Sequence, residues 1–100
     1  MRIPKHIDVK GKRWKISYKW NLADDDGTKC DGLCEYKTRT IWLDRAIPKS
    51  ERPQVFLHEL VHALIYELHL TDGLPNELEE VLAEGFSQYF LETFNVRLKR

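Results

Sequence analysis

The sequence holds little that would staple, stiffen or anchor it. Two cysteines in 100 residues exclude a disulfide scaffold. Four prolines and five glycines exclude a collagen-like or proline-rich chain. Neither sign of charge is in excess, since 16 Lys and Arg offset 16 Asp and Glu. That balance argues against holding nucleic acid or acidic lipid through bulk charge. No apolar run approaches the ~18 residues that a membrane span needs. The opening stretch MRIPKHIDVKGKRW has no apolar block of the export-signal kind. A cytoplasmic protein with no membrane association and with reduced thiols is therefore expected. Cys30 and Cys34 have no second Cys or Cys/His pair nearby to complete a four-ligand structural zinc site.

What remains is a globular balance of 42% apolar and 32% charged residues. The length suits a single domain over residues 1–100. The first 47 residues read as β. Ile7 and Val9 alternate with polar residues, Lys10-Gly11-Lys12 marks a turn, and Trp14, Ile16, Tyr18 and Trp20 repeat with period two. Residues 21–32 read as a loop. Its Asp24-Asp25-Asp26 run lacks the alternate spacing of a calcium loop. Leu33–Tyr36 and Thr40–Asp44 read as two further strands. Sequential strands with short connections predict an antiparallel meander.

Residues 50–95 read as two helices. Ser50 is the expected N-cap and Pro53 fits the first turn. Val55–Leu68 is apolar nearly all round, as a central helix would be. The break at Thr71–Asn76 precedes a second helix from Glu77 to about Thr93, with the basic residues 97–100 placed beyond its end. A short break makes the helices antiparallel neighbours. The expected fold class is α+β: a small antiparallel β-sheet followed by two antiparallel helices.

His58-Glu59-Leu60-Val61-His62 is an H-E-x-x-H motif. On a helix, positions i and i+4 share a face, so both imidazoles can hold one Zn²⁺. Glu59 lies about 100° round the helix. It cannot join that ligand row, but it can act as general base on a water acidified by zinc. Two histidines and a glutamate among apolar neighbours also need polar partners, which a metal supplies. A catalytic zinc takes a third protein ligand and leaves one position for solvent. Counting back from the interhelical break brings residues 82–86 of the second helix level with the histidines. Glu84 is the carboxylate in that window, and Glu80, one turn earlier, is the alternative third ligand. Whichever does not bind metal can orient a histidine through its other ring nitrogen. Glu79 projects from a different face. Tyr66 and Tyr89 are oxyanion partners by residue type only and read more simply as packing residues.

H-E-L-V-H followed by L-A-E-G-F-S-Q-Y-F resembles the gluzincin branch of zinc metallopeptidases, including small single-domain members of phage and bacterial origin. The resemblance covers about Ile41–Phe94. It implies a zincin-like hydrolase that cleaves a peptide bond with metal-activated water, Glu59 being catalytic and His58, His62 and Glu84 binding Zn²⁺. A second register, similar to the E-x-x-x-D pattern of other gluzincins, makes Glu80 the ligand and puts Glu84 in the orienting place. In such proteins the strand before the motif is an edge strand that pairs with extended substrate, which here implies Thr40, Ile41, Trp42 and Leu43. The implied partner is a peptide or protein substrate. Two other readings compete. One is a non-catalytic, zinc-stabilised interaction module. The other is a nucleic-acid-associated protein, with Trp14, Tyr18 and Trp20 stacking bases among seven Lys/Arg in the first twenty residues. Period-two aromatics face a core more often than a ligand, so nucleic acid is not the expected partner.

Overall fold

The structure, a computed structural model, describes residues 2–98, with side chains as far as residue 93. Strands β1 (His6–Val9), β2 (Lys12–Lys19), β3 (Gly32–Glu35) and β4 (Thr40–Asp44) precede helix α1 (Arg52–Glu67), a 3₁₀ turn (Thr71–Gly73) and helix α2 (Asn76–Leu98). The fold is α+β, as the pattern predicts. In the β1–β2 hairpin Val9 pairs with Lys12, which leaves Lys10 and Gly11 as the loop, at φ 52° and 78°. Two positive φ angles are what a type I′ turn requires, and its twist matches the strands it joins.

The sheet is mixed, not purely antiparallel. Its order is β1-β2-β4-β3, and β2 pairs with β4 in parallel. The antiparallel expectation assumed that consecutive strands are neighbours. Instead the loop 20–31 is long enough to step over one strand position, about 4.8 Å wide. The β3–β4 hairpin then folds back and inserts β4 beside β2. The loop is organised for this. Leu22 is buried, and Asp24 Oδ1 accepts the Asp26 and Thr28 N–H groups at 3.0 and 2.9 Å.

The insertion corrects a second expectation. Thr40–Asp44 is a central strand with both edges occupied, and Thr40, Ile41 and Leu43 are buried. Thr40, Ile41, Trp42 and Leu43 cannot take an extended substrate, because their backbone groups are already committed to β2 and β3. The free edge next to α1 belongs to β3.

One face of the sheet packs on α1. Trp14, Ile16, Ile41, Leu43, Phe56, Leu57 and Ala63 form the core between them, and full burial of a Leu or Phe side chain contributes about 1.5–3 kcal/mol. Pro53 sits in the first turn of α1, but the N-cap is Glu51, not Ser50, and no side chain caps it. After α1 the chain turns at His69 (φ 59°), and α2 returns antiparallel. It runs to Leu98, past the expected end near Thr93. The tail expected beyond the helix thus begins inside it, and residues 99–100 lie outside the described residues.

The far end of α1 is tied to the sheet by one carboxylate. Glu67 accepts the Trp14 indole N–H at 2.8 Å and the Arg39 Nε–H at 2.6 Å. Trp14 makes edge contacts with Tyr36 and Tyr66, which stack on each other with centroids 4.5 Å apart. Arg39 reaches Glu67 from a turn position with φ 48°. The guanidinium, helped by the indole, holds the Glu67 carboxyl below its ordinary value of 4.5 despite burial. A depressed folded pKa gives stability that is present above pH 4.5 and lost as pH falls through the folded value. Glu67→Ala, which strands a buried indole N–H, is expected to destabilise the fold by about 1–3 kcal/mol in urea unfolding. Glu67→Gln keeps an acceptor for Trp14 and is expected to cost less. Stability of Glu67→Gln should also fall less steeply than wild type as pH drops below 4.5.

Candidate metal centre

Helix α1 buries Phe56, Leu57, Val61, Ala63 and Ile65. Its polar residues His58, Glu59 and His62 are gathered where β3 and α2 meet it. The approach of α2 is close because small residues face α1. Ala83 and Ser87 are fully buried, and Ala83 packs with Val61 and Ile65. Glu79, one turn before Ala83, lies in the same row. Glu80 and Glu84 flank that row.

Three donors converge. The Nε2 atoms of His58 and His62 are 3.3 Å apart. Glu80 spans them, with Oε2 at 3.2 Å from His58 Nε2 and Oε1 at 3.0 Å from His62 Nε2. His58, His62 and Glu80 are the group of ligand-type atoms close enough together to share an ion among the described residues. The other ring nitrogens are also engaged. His58 Nδ1 meets Glu84 Oε2 at 3.0 Å, and His62 Nδ1 meets Glu79 Oε2. Glu84 is itself braced by the side-chain amides of Gln54 and Gln88, which donate to its Oε1 at 3.2 and 3.1 Å.

Both ring nitrogens of each histidine thus face a carboxylate: Glu84 and Glu79 at the Nδ1 atoms, Glu80 at both Nε2 atoms. An ionised carboxylate only accepts, and a neutral imidazole has one N–H for its two nitrogens. With the protons on the Nδ1 side, two Nε2 lone pairs and Glu80 point at one another, a set that a cation, whether a proton or a metal ion, would join. Its spacing suits zinc: four ligands at about 2.0–2.1 Å in a tetrahedron stand about 3.3 Å from one another. Two imidazoles and a carboxylate are also a donor set that zinc takes in open, catalytic sites.

Glu59 lies beside this group, buried against β3. Burial raises its carboxyl pKa, and the nearby His62 and His58 oppose the rise. The bare backbone of Gly32 makes room for it. A Cβ at Gly32 would stand 2.7 Å from Val55 Cγ1 and 2.8 Å from Glu59 Cγ. Cys34, on the same strand, donates its thiol to the Glu59 carbonyl at 3.1 Å. Burial pushes the Cys34 pKa well above its usual value, and its thiol hydrogen bond ties β3 to α1. Cys30 and Cys34 are both free.

A cleft of about 400 Å³ opens over the group, with Gly32, Leu33, Cys34 and Tyr36 on one side and His58, Glu59, His62, Glu79 and Glu80 on the other. Asp44 N–H donates to the Asp31 carbonyl across the β3–β4 ladder. In an antiparallel pair the bonded residues alternate, so the backbone groups of Gly32 and Cys34 project from the free edge. Tyr36 keeps its phenolic proton, because burial pushes its pKa up.

The structure thus brings together four of the residues expected from sequence: His58, Glu59, His62 and Glu80. Glu84 is near but on the wrong nitrogen for a shared ligand. It braces His58 and does not face the Nε2 pair. Glu79, expected on another face, is buried and braces His62. The signal for it was the row Glu79, Ala83, Ser87 at four-residue spacing, small enough to face α1 closely. Tyr36 and the β3 edge were also missed. Tyr66 is engaged in stacking, and Tyr89 is 61% exposed away from the site. Of the aromatics weighed for stacking bases, Trp14 is buried, Tyr18 lies under the guanidinium groups of Arg45 and Arg52, and Trp20 is exposed.

Gly32→Ala is expected to force Val55 and Glu59 apart from β3, and overpacking of this kind costs about 1–3 kcal/mol. The urea midpoint of that variant should fall, whereas Gly73→Ala, where a Cβ meets open space, should leave it nearly unchanged.

Compared with protein-family models, with curated proteins and with solved structures, the chain matches none.

Proposed function

We propose that this protein is a zinc-dependent hydrolase, a metallopeptidase, in which His58, His62 and Glu80 hold the ion and Glu59 handles the proton. The observation that carries this reading is the inward convergence of the two Nε2 atoms and the Glu80 carboxylate, with each Nδ1 facing a carboxylate of its own, Glu84 or Glu79. A bound zinc ion supplies Lewis acidity and lowers the pKa of water to roughly 7.

The chain's own residues supply the rest. Glu84 and Glu79 fix the imidazole planes and tautomers and raise the basicity of Nε2. Glu59, buried next to the imidazoles, takes a proton from water as its oxygen attacks the peptide carbonyl carbon, then returns that proton to the amine as the C–N bond breaks. A carboxyl pKa raised by burial suits a group that must both accept and release a proton. The free edge of β3 receives the substrate as an added strand, through the outward backbone groups of Gly32 and Cys34. Tyr36, holding its proton at the cleft wall, is the O–H donor available to a developing oxyanion. Two free thiols fit a cytoplasmic setting.

Metal content and hydrolysis separate the roles. Glu80→Ala is expected to lose zinc. Glu84→Ala and Glu79→Ala are expected to keep it with affinity reduced about 10–100-fold. Glu59→Gln should bind zinc stoichiometrically and fail to hydrolyse a peptide library that the wild type cleaves. Tight zinc retention by Glu80→Ala together with zinc loss by Glu84→Ala would reverse the assignment of the third ligand.

A further inference from the structure

A second cavity, of about 390 Å³, opens between the start of β3 and the first turns of α1. It adjoins the cleft over the histidines, since Gly32, His58 and Glu59 line both. Its wall is apolar at Ile47 and Val55 and carries the carboxylates of Asp31, Glu51, Glu59 and Glu84, and no described Lys or Arg lines it. Two of these carboxylates are already committed. Glu59 is the proposed proton carrier, and Glu84 is held by His58, Gln54 and Gln88. Asp31 and Glu51 are exposed, and neither has an ion-pair partner among the described residues. Glu51 stands at the N-cap of α1 without capping it. Arg52, beside it in sequence, is turned elsewhere. Its Nε and Nη2 donate to the carbonyls of Ile47 and Arg45 at 3.3 and 3.0 Å, and its guanidinium covers Tyr18. The charges of Asp31 and Glu51 outweigh the roughly half unit of positive charge at the N-terminus of α1, so the cavity carries a negative field.

We infer that this cavity receives a lysine or arginine side chain of the substrate, from a residue flanking the bond that is cut, and so selects basic peptide segments. This selectivity rests on the metallopeptidase reading and adds to it a class of substrate. A substrate strand laid on the free edge of β3 passes Gly32 at the mouth of the cavity. Lysine and arginine combine an aliphatic stem, which can lie along Ile47 and Val55, with a cation at the tip for Asp31 and Glu51. Hydrogen bonds from such a cation to a carboxylate are about twice as strong as neutral ones. A leucine would fill the apolar part and leave the carboxylates unmet, and a glutamate would be repelled. The same sign continues along the strand. Asp24, Asp25, Asp26 and Glu35 line a cavity of about 710 Å³ beside Leu33 and Tyr36, against a single described cation, Lys37. A basic segment is therefore drawn to the whole length of the edge.

Binding separates this selectivity from catalysis. The full chain carrying Glu59→Gln, loaded with zinc, is titrated calorimetrically with capped pentaalanine peptides that have Lys, Arg, Leu or Glu at the central position. The Lys and Arg peptides should bind at least tenfold more tightly than the other two. Asp31→Asn with Glu51→Gln should abolish that advantage at unchanged zinc content, and Asp31→Lys with Glu51→Lys should transfer it to the Glu peptide. Equal or undetectable binding of the four peptides overturns the inference, as does a cationic advantage that survives Asp31→Asn with Glu51→Gln. In a separate digest of a peptide library, wild type should cut beside Lys or Arg. A chain that prefers the cationic peptides yet cuts nothing removes the peptidase reading and leaves the cavity's preference for a cation standing.

Discussion

The site is organised by hydrogen bonds that lie behind the histidines. An imidazole has two nitrogens and, when neutral, one proton. Glu79 and Glu84 each face an Nδ1 from α2, and Glu80 faces both Nε2 atoms. A neutral ring whose proton lies on the Nδ1 side presents a lone pair on the Glu80 side, where an ion could join. H-E-x-x-H alone therefore does not make a cation site. It requires a neighbouring helix at the correct distance and rotation.

That requirement reaches into the core. The rotation of α2 is set by Ala83 and Ser87, which let it settle on Val61 and Ile65. The position of α1 is set by Phe56, Leu57 and Ala63 on the sheet, and at its far end by Glu67 through Trp14 and Arg39. At the other side Gly32 and Cys34 hold β3 against the helix, one by omitting a side chain and one by donating a thiol proton. A small domain thus fixes several donor atoms with few residues, each also part of the packing.

Much of this was legible in the residues. The periods of two and of 3.6 separated sheet from helices, Lys10-Gly11 announced its hairpin, and H-E-x-x-H named three site residues at once. Strand order was not legible, because period and propensity describe a strand but not its neighbour. Nothing in Thr40–Asp44 distinguishes an edge from a centre except that Ile41 and Leu43 are apolar, and an edge strand with one buried face shows the same. The third carboxylate was narrowed to Glu84 and Glu80 by counting levels along antiparallel helices. Counting gives height but not rotation, and a difference of about 40° between residues four apart decides which carboxylate faces the Nε2 pair and which passes behind. Glu79 escaped because its partner nitrogen lies on the back of the ring.

The donors come from two helices, and α2 is the last described element of the chain. Before α2 docks, α1 offers only a pair of imidazoles with no fixed tautomer, a weak chelate with no carboxylate. On the proposed reading, tight loading of an ion requires sheet, α1 and α2 together. Occupancy would then report completed folding, and a proteolytic cut in the turn between the helices would unload the ion before it unravelled the sheet.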